Sequence, residues 1–196
     1  MYNIRLRKPS KAMQVMLLCS MANLINAADR VIMPLAIVPL HQEYEWSLQW
    51  QGWILSAFAF GYMPSQIIGG NAAVRFGGKR TLLFSVLIWS LSTFITPFVV
   101  SSIPILIVTR VLLGLGEGIG LPTVFHIFAH HIPPELRSRA FAYLVAGGSV
   151  GQVVASVLCP AFHWSVGFFF FGILGFLWVR ERKERLSSWF LWVRQR

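Results

Sequence analysis

Charge is scarce in this chain, and acid is the scarcer sign. Of 196 residues only 12% are Asp, Glu, Lys or Arg, and seven are acidic, against about 25% charged in soluble domains. Together with 56% hydrophobic residues and a mean hydropathy of +0.63, this excludes an ordinary soluble domain and points to a membrane protein. Cysteine is nearly absent. Cys19 and Cys159 fall in different apolar blocks near opposite faces, so no disulfide framework or thiolate metal site is expected and both read as packing residues. No G-x-S-x-G, H-E-x-x-H or P-loop pattern occurs, so we read no enzyme and call for no cofactor. His126, His130 and His131 include an i, i+4 pair, but no carboxylate or cysteine accompanies them. They read as interfacial residues and not as a metal site.

What the chain does have is apolar length, divided into six blocks, each near the ~20 residues that span a bilayer as a helix. The blocks are 13–38, 48–69, 81–100, 104–128, 140–160 and 164–179. They are too long and uniform for barrel strands, so an all-α, polytopic membrane bundle of six transmembrane helices is predicted. The basic residues support the division. Four precede the first block (Arg5, Arg7, Lys8, Lys11), three lie between the second and third (Arg75, Lys79, Arg80), two between the fourth and fifth (Arg137, Arg139), and six follow the last (Arg180, Arg182, Lys183, Arg185, Arg194, Arg196). The alternate loops, HQEYEW, SSIP and FHW, hold no Lys or Arg. By the positive-inside rule both termini face the cytosol or its equivalent. The net charge of +10 then reports topology and attraction to anionic membrane lipid, and no nucleic-acid partner is expected. The organisation read from this is a basic cytosolic segment 1–12, a transmembrane domain 13–179 and a basic cytosolic or interfacial tail 180–196.

Two basic residues lie inside spans, Arg30 in the first and Arg110 in the fourth. An arginine at a helix centre costs roughly 2.5–3.5 kcal/mol on the insertion scale, so both are expected to point inward. Glu117 follows Arg110 by seven residues. At 100° per residue the two return to within about 20° of one face, roughly 10.5 Å apart along the axis, so they share a face without touching. Gly114, Gly116, Gly118 and Gly120 alternate through the same span, and Gly147 and Gly151 recur in the next. Small residues four apart let helices approach closely. Pro122 beside them gives the span a place to bend.

Residues 1–28 share features with a signal peptide, but the apolar run resumes through VIMPLAIVPL, as a spanning helix requires. At the other end WFLWV between arginines reads either as an interfacial segment, with Trp189 and Trp192 at the headgroups, or as a disordered tail.

Several separated motifs carry a resemblance. GGNAAVRFGGKR resembles the G-x-x-x-D-R-x-G-R-K loop of the major facilitator superfamily, with Gly70, Arg75, Gly77 and Lys79 in register. RVLLGLGEG, containing Gly114 and Gly118, resembles its R-x-x-x-G-x-G pattern. DRVIMPLAIVP, RVLLGLGEGIGLP, IPPELRSRA and WSVGFFFFGILGFLW are similar, in order, to the anion:cation symporters, which include phosphate transporters, sialin and the vesicular glutamate transporters. Val74 stands where the superfamily loop has Asp, and Leu55 where vesicular glutamate transporters carry His.

This resemblance implies two three-helix repeats of inverted topology, the N-domain of the facilitator fold. It further implies transport of inorganic phosphate or an organic carboxylate, coupled to H+ or Na+ by alternating access, in a plasma, plastid or vesicle membrane. Arg30 and Arg110 would bind the anion, and Glu117 would be the ion-linked switch. The alternative for these charges is a structural ion pair of Glu117 with Arg30 or a neighbouring span. The alternative for the chain is a truncated half-transporter that does not transport and acts as a scaffold, partnered by a second half or by its own homodimer.

Overall fold

A computed structural model describes the backbone of residues 11–193 and the side chains of residues 11–181. Six helices follow in order: α1 (Lys11–Tyr44), α2 (Leu48–Phe76), α3 (Gly78–Val99), α4 (Ile103–His131), α5 (Pro134–Leu158) and, after a 3₁₀ turn at Cys159–Ala161, α6 (Trp164–Val193). There is no strand among the described residues. Five of the helices are long and apolar enough to cross a membrane. α2 is the sixth, 29 residues long, with Gln49, Gln51, Gln66, Asn71 and Arg75 diluting its apolar character.

The helices outrun the apolar blocks, because a helix continues past the hydrocarbon wherever nothing breaks it. α1 has 34 residues, about 51 Å at 1.5 Å per residue, well beyond a ~30 Å hydrocarbon core. The expected loop of residues 70–80 is corrected here: α2 runs to Phe76, α3 starts at Gly78, and Gly77 alone joins them. Its φ of +87° is a conformation that glycine reaches without a Cβ penalty. α6 likewise passes Val179 without interruption as far as Val193. The side chains of Trp189 and Trp192 lie outside the described residues.

Ends are set locally. The Ser47 hydroxyl accepts from Trp50 N–H at the start of α2, and Pro133 follows the extended Ile132 that ends α4. Arg137 donates to the carbonyls of Ala129 (2.8 Å) and Ile132 (3.3 Å) there, serving acceptors that a helix terminus leaves open.

α4 packs against α2 and α3, α1 against α5 and α6, and α3 against α6. Exchanging the first three helices for the last three leaves this pattern unchanged. Each set has three helices of alternating direction, so the second begins opposite to the first, which is an inverted repeat.

Glycines make the contacts close. A Cβ at Gly114 would overlap the Phe58 carbonyl, and one at Gly118 the Ser65 hydroxyl, both on α2. Gly116 and Gly120 face Trp89 of α3 instead, so the alternating glycines of α4 serve two neighbours. Gly147 and Gly151 meet Ser20 and Leu24 of α1. Gly70 meets nothing within 4 Å, whereas Gly61 and Gly69 abut the α4 backbone.

The core has two apolar clusters, one built around Met16, Ile25, Val86, Trp89 and Leu144, the other around Ile32, Leu40, Ile54, Phe168 and Phe171. The buried charges fall where these clusters meet.

Candidate functional site

On α1, Asp29 and Arg30 sit between Ile25 of one cluster and Ile32 of the other. On α4, Arg110 and Glu117 flank Leu113. Arg30 Nε donates to Glu117 Oε2 at 2.8 Å, with the arginine side chain 30% exposed and the glutamate fully buried. The Arg30 guanidinium also lies over the rings of Tyr62 at 4.4 Å and Phe58 at 5.7 Å, so α2 supplies two faces that attract the cation.

Arg110 is 2% exposed. Its Nη2 donates to the Thr96 hydroxyl at 2.8 Å, which donates in turn to the Ser92 carbonyl at 2.8 Å. Phe168 of α6 lies under the guanidinium at 5.5 Å. Arg110 and Glu117 do not pair with each other. Asp29 and Glu117 both lie within electrostatic reach of Arg110.

Asp29 was not among the residues singled out from sequence. It is 2% exposed, and the Thr93 hydroxyl faces it without closing a hydrogen bond. The signal was available. Applying the insertion cost to the acidic residues as to the basic ones leaves two of the seven, Asp29 and Glu117, inside the spans. Tyr62, Thr96 and Phe168 were missed because their importance comes only from facing an arginine.

Several atoms of this cluster are buried without hydrogen-bond partners: both Asp29 carboxylate oxygens, Glu117 Oε1, Arg30 Nη2 and Arg110 Nε. Buried polar atoms are usually satisfied, so two acceptor groups and two donor groups here retain binding capacity. A cavity of about 200 Å³ opens on Asp29, Arg30 and Arg110, closed on its other sides by apolar residues including Met33, Ile54 and Leu55. Fixed charges on an otherwise apolar wall bind an ion of opposite sign strongly, since little solvent competes.

The remaining predicted positions lie apart from this cluster. Arg75, with its guanidinium 5.5 Å from the Phe76 ring, Gly77 and Lys79 surround the α2–α3 link, and Gly70 lies on α2 before it. Pro122 is inside α4, where a ring nitrogen cannot donate to the Gly118 carbonyl, one residue from Glu117. Cys19 packs in the first apolar cluster and Cys159 against the second. The His126 and His130 rings lie 4.2 Å apart between centroids.

Residues 18–196 match the Major Facilitator Superfamily. The chain belongs to that superfamily. The crystal structure of a D-xylose-proton symporter superposes on it with a TM-score of 0.76 at 14% identity, covering 87% of this chain and 47% of that one. Among relatives, "Probable anion transporter 3, chloroplastic" of Oryza sativa subsp. japonica is 38% identical over 87% of this chain and 34% of its own length. The "Ascorbate transporter, chloroplastic" of Arabidopsis thaliana is 39% identical over 84% of this chain and 31% of its own. "Sodium-dependent phosphate transport protein 1, chloroplastic", also of Arabidopsis thaliana, is 38% identical over 84% and 33%. The chain therefore spans about a third of the length of these superfamily relatives. Its six helices form the bundle expected of a facilitator N-domain.

Proposed function

We propose that this chain forms part of a secondary transporter that moves an anion across a membrane by alternating access, coupled to H+ or Na+. The observation that carries this reading is the set of unpartnered buried atoms in the charged cluster. The four side chains, two cationic and two anionic, are formally neutral together. An added anion leaves a net negative charge in a low-dielectric site, which is costly unless a cation enters with it. The unpartnered guanidinium nitrogens of Arg30 and Arg110 suit an anion's oxygens. The unpartnered oxygens of Asp29 and Glu117 suit a proton or a sodium ion. Glu117 holds Arg30 in the present arrangement, so neutralising Glu117 would release Arg30 toward an anion, linking the two loads.

Gly114, Gly118 and Pro122 would let α4 rock against α2 during the cycle, and Gly70, Arg75, Gly77 and Lys79 would act in the conformational change at the α2–α3 link. By charge asymmetry both termini face the cytosol, with 1–12 and 180–196 flanking the transmembrane domain. The chloroplastic names of the rice and Arabidopsis relatives support a plastid membrane among those considered.

The test is uptake of labelled phosphate and carboxylates by proteoliposomes containing the full-length protein. Arg110→Lys is expected to abolish uptake with folded protein retained, and Glu117→Gln to uncouple uptake from the pH or sodium gradient while leaving anion binding. If both variants fail to fold, and Arg30→Gln rescues Glu117→Gln, the charges serve structure and the reading is wrong.

A further inference from the structure

Toward the C-terminal end of α1, a cavity of about 540 Å³ opens between that helix, the 3₁₀ turn and the start of α6. None of Asp29, Arg30, Arg110 or Glu117 lines it. Its α1 wall from Ile32 to Pro39 is apolar, and its rim carries Glu43, Phe162, His163 and Trp164. The volume falls within the roughly 300–1,000 Å³ of small-molecule sites. It far exceeds what a metal ion needs, and one carboxylate supplies too few oxygens for calcium or magnesium.

Glu43 brings the one formal charge of the lining. Trp164 Nε1 donates to Glu43 Oε2 at 2.9 Å, which fixes the carboxylate beside the indole without balancing its charge. Glu43 has no ion pair among the described residues. His163 Nδ1 accepts from the Ser165 N–H at 3.4 Å, which only an unprotonated ring nitrogen can do, so that imidazole is neutral. The loops at this end, HQEYEW, SSIP and FHW, add Glu45 and no Lys or Arg. A second acceptor comes from the backbone: Pro39 has no N–H for the Leu35 carbonyl, and both residues line the cavity.

These features select the charge of an occupant. An anion meets an uncompensated carboxylate, and a plain hydrocarbon answers neither oxygen. An alkylammonium group offers N–H donors to both oxygens and a charge opposite to that of Glu43. The indole N–H lies in the ring plane, so the face of Trp164 stays available to the cation. The alkyl portion then covers the Ile32–Pro39 wall.

We propose that this cavity is an accessory site for an alkylammonium group, carried by a free amine or by the headgroup of an aminophospholipid. It is separate from the charged cluster and does not depend on the anion-transport reading. Cys159 lines the same cavity and reports its occupancy, while Cys19 is wholly buried elsewhere.

The experiment follows alkylation of Cys159 by N-ethylmaleimide, read by peptide mass, in the full chain held in nanodiscs of digalactosyldiacylglycerol, a lipid without nitrogen. Hexylammonium, hexanol and hexanoate are the probes. Hexylammonium is expected to protect Cys159 at about tenfold lower concentration than hexanol, the sum of a cation–ring contact and an exposed ion pair. Hexanoate should be the weakest of the three. Glu43→Gln is expected to reduce the tenfold preference to about twofold, since partition into the bilayer is unchanged and only the ion pair is lost. Adding phosphatidylethanolamine to the discs separates the two sources. Protection of Cys159 by that lipid alone, lost in Glu43→Gln, identifies the headgroup; unaltered labelling, with hexylammonium still protective, identifies a free amine. Equal protection by all three probes, or a hexylammonium preference that survives Glu43→Gln, would overturn the proposal. So would labelling of Cys159 that no probe slows, or a Cys159 that never reacts in the nitrogen-free lipid, which would mean a closed cavity.

Discussion

Arg30 and Arg110 are both arginines within spans, yet they are held in different ways. Arg110 is locked from behind, with a hydroxyl from α3 on one side and a phenyl ring from α6 on the other, and it is almost wholly buried. Arg30 stands at the edge of two cavities, against two aromatic rings of α2 and a single carboxylate of α4. The principal helix pairings are symmetric under exchange of the two halves, while the side chains around the charges are not. The repeat thus supplies a scaffold, and the chemistry comes from how each copy was filled. In this reading Arg110 is the fixed cation and Arg30 the one able to move.

The largest expected effect separates the two arginines directly. Arg110→Ala should destabilise the protein by about 3–5 kcal/mol, because it removes the buried cation beside Asp29. Arg30→Ala should cost less, since its side chain is partly exposed. Thermal unfolding in detergent measures both. Adding Asp29→Asn should recover much of the Arg110→Ala loss, and no recovery would show that Asp29 does not depend on Arg110.

Next come the glycine contacts that test the symmetry. Gly114→Leu on α4 and Gly151→Leu on α5 each drive a side chain into the backbone of the partner helix, and each should cost about 3 kcal/mol or more. Comparable falls in the yield of monodisperse protein are expected. A tolerated Gly151→Leu beside a collapsed Gly114→Leu would break the equivalence of the halves.

Thr96→Val should have a smaller effect, about 1.5–3 kcal/mol, by depriving Arg110 of a charge-assisted hydrogen bond. Phe168→Leu should cost less at the same guanidinium, where the cation–ring contact contributes on the order of 1 kcal/mol. Unfolding midpoints for the pair rank the support given by α3 against that from α6.

The smallest effects lie at the α2–α3 link. Gly77→Ala should cost about 1–2 kcal/mol because of its positive φ. Gly70→Ala, with open space around it, should be neutral or stabilise by roughly 0.5–1 kcal/mol. Equal behaviour of the two in a stability measurement would contradict the conformations described here.

Much of the fold was legible because membrane insertion is local. Each apolar block must satisfy its own backbone and carries its own insertion energy, so the number of spans and the inward placement of Arg30, Arg110 and Glu117 followed from composition and the helical period. The facilitator motifs, with their order along the chain, added the superfamily. The helix ends were less legible, because a stretch that carries polar residues, such as Asn71 and Arg75, stays helical beyond its apolar block. What only the tertiary structure decided was partnership: that Glu117 takes Arg30, that Thr96 and Phe168 take Arg110, that Asp29 completes the cluster, and that alternate glycines of α4 face different helices. These relations join residues as much as 87 positions apart. They depend on which helices pack together and at what rotation, which no single segment encodes.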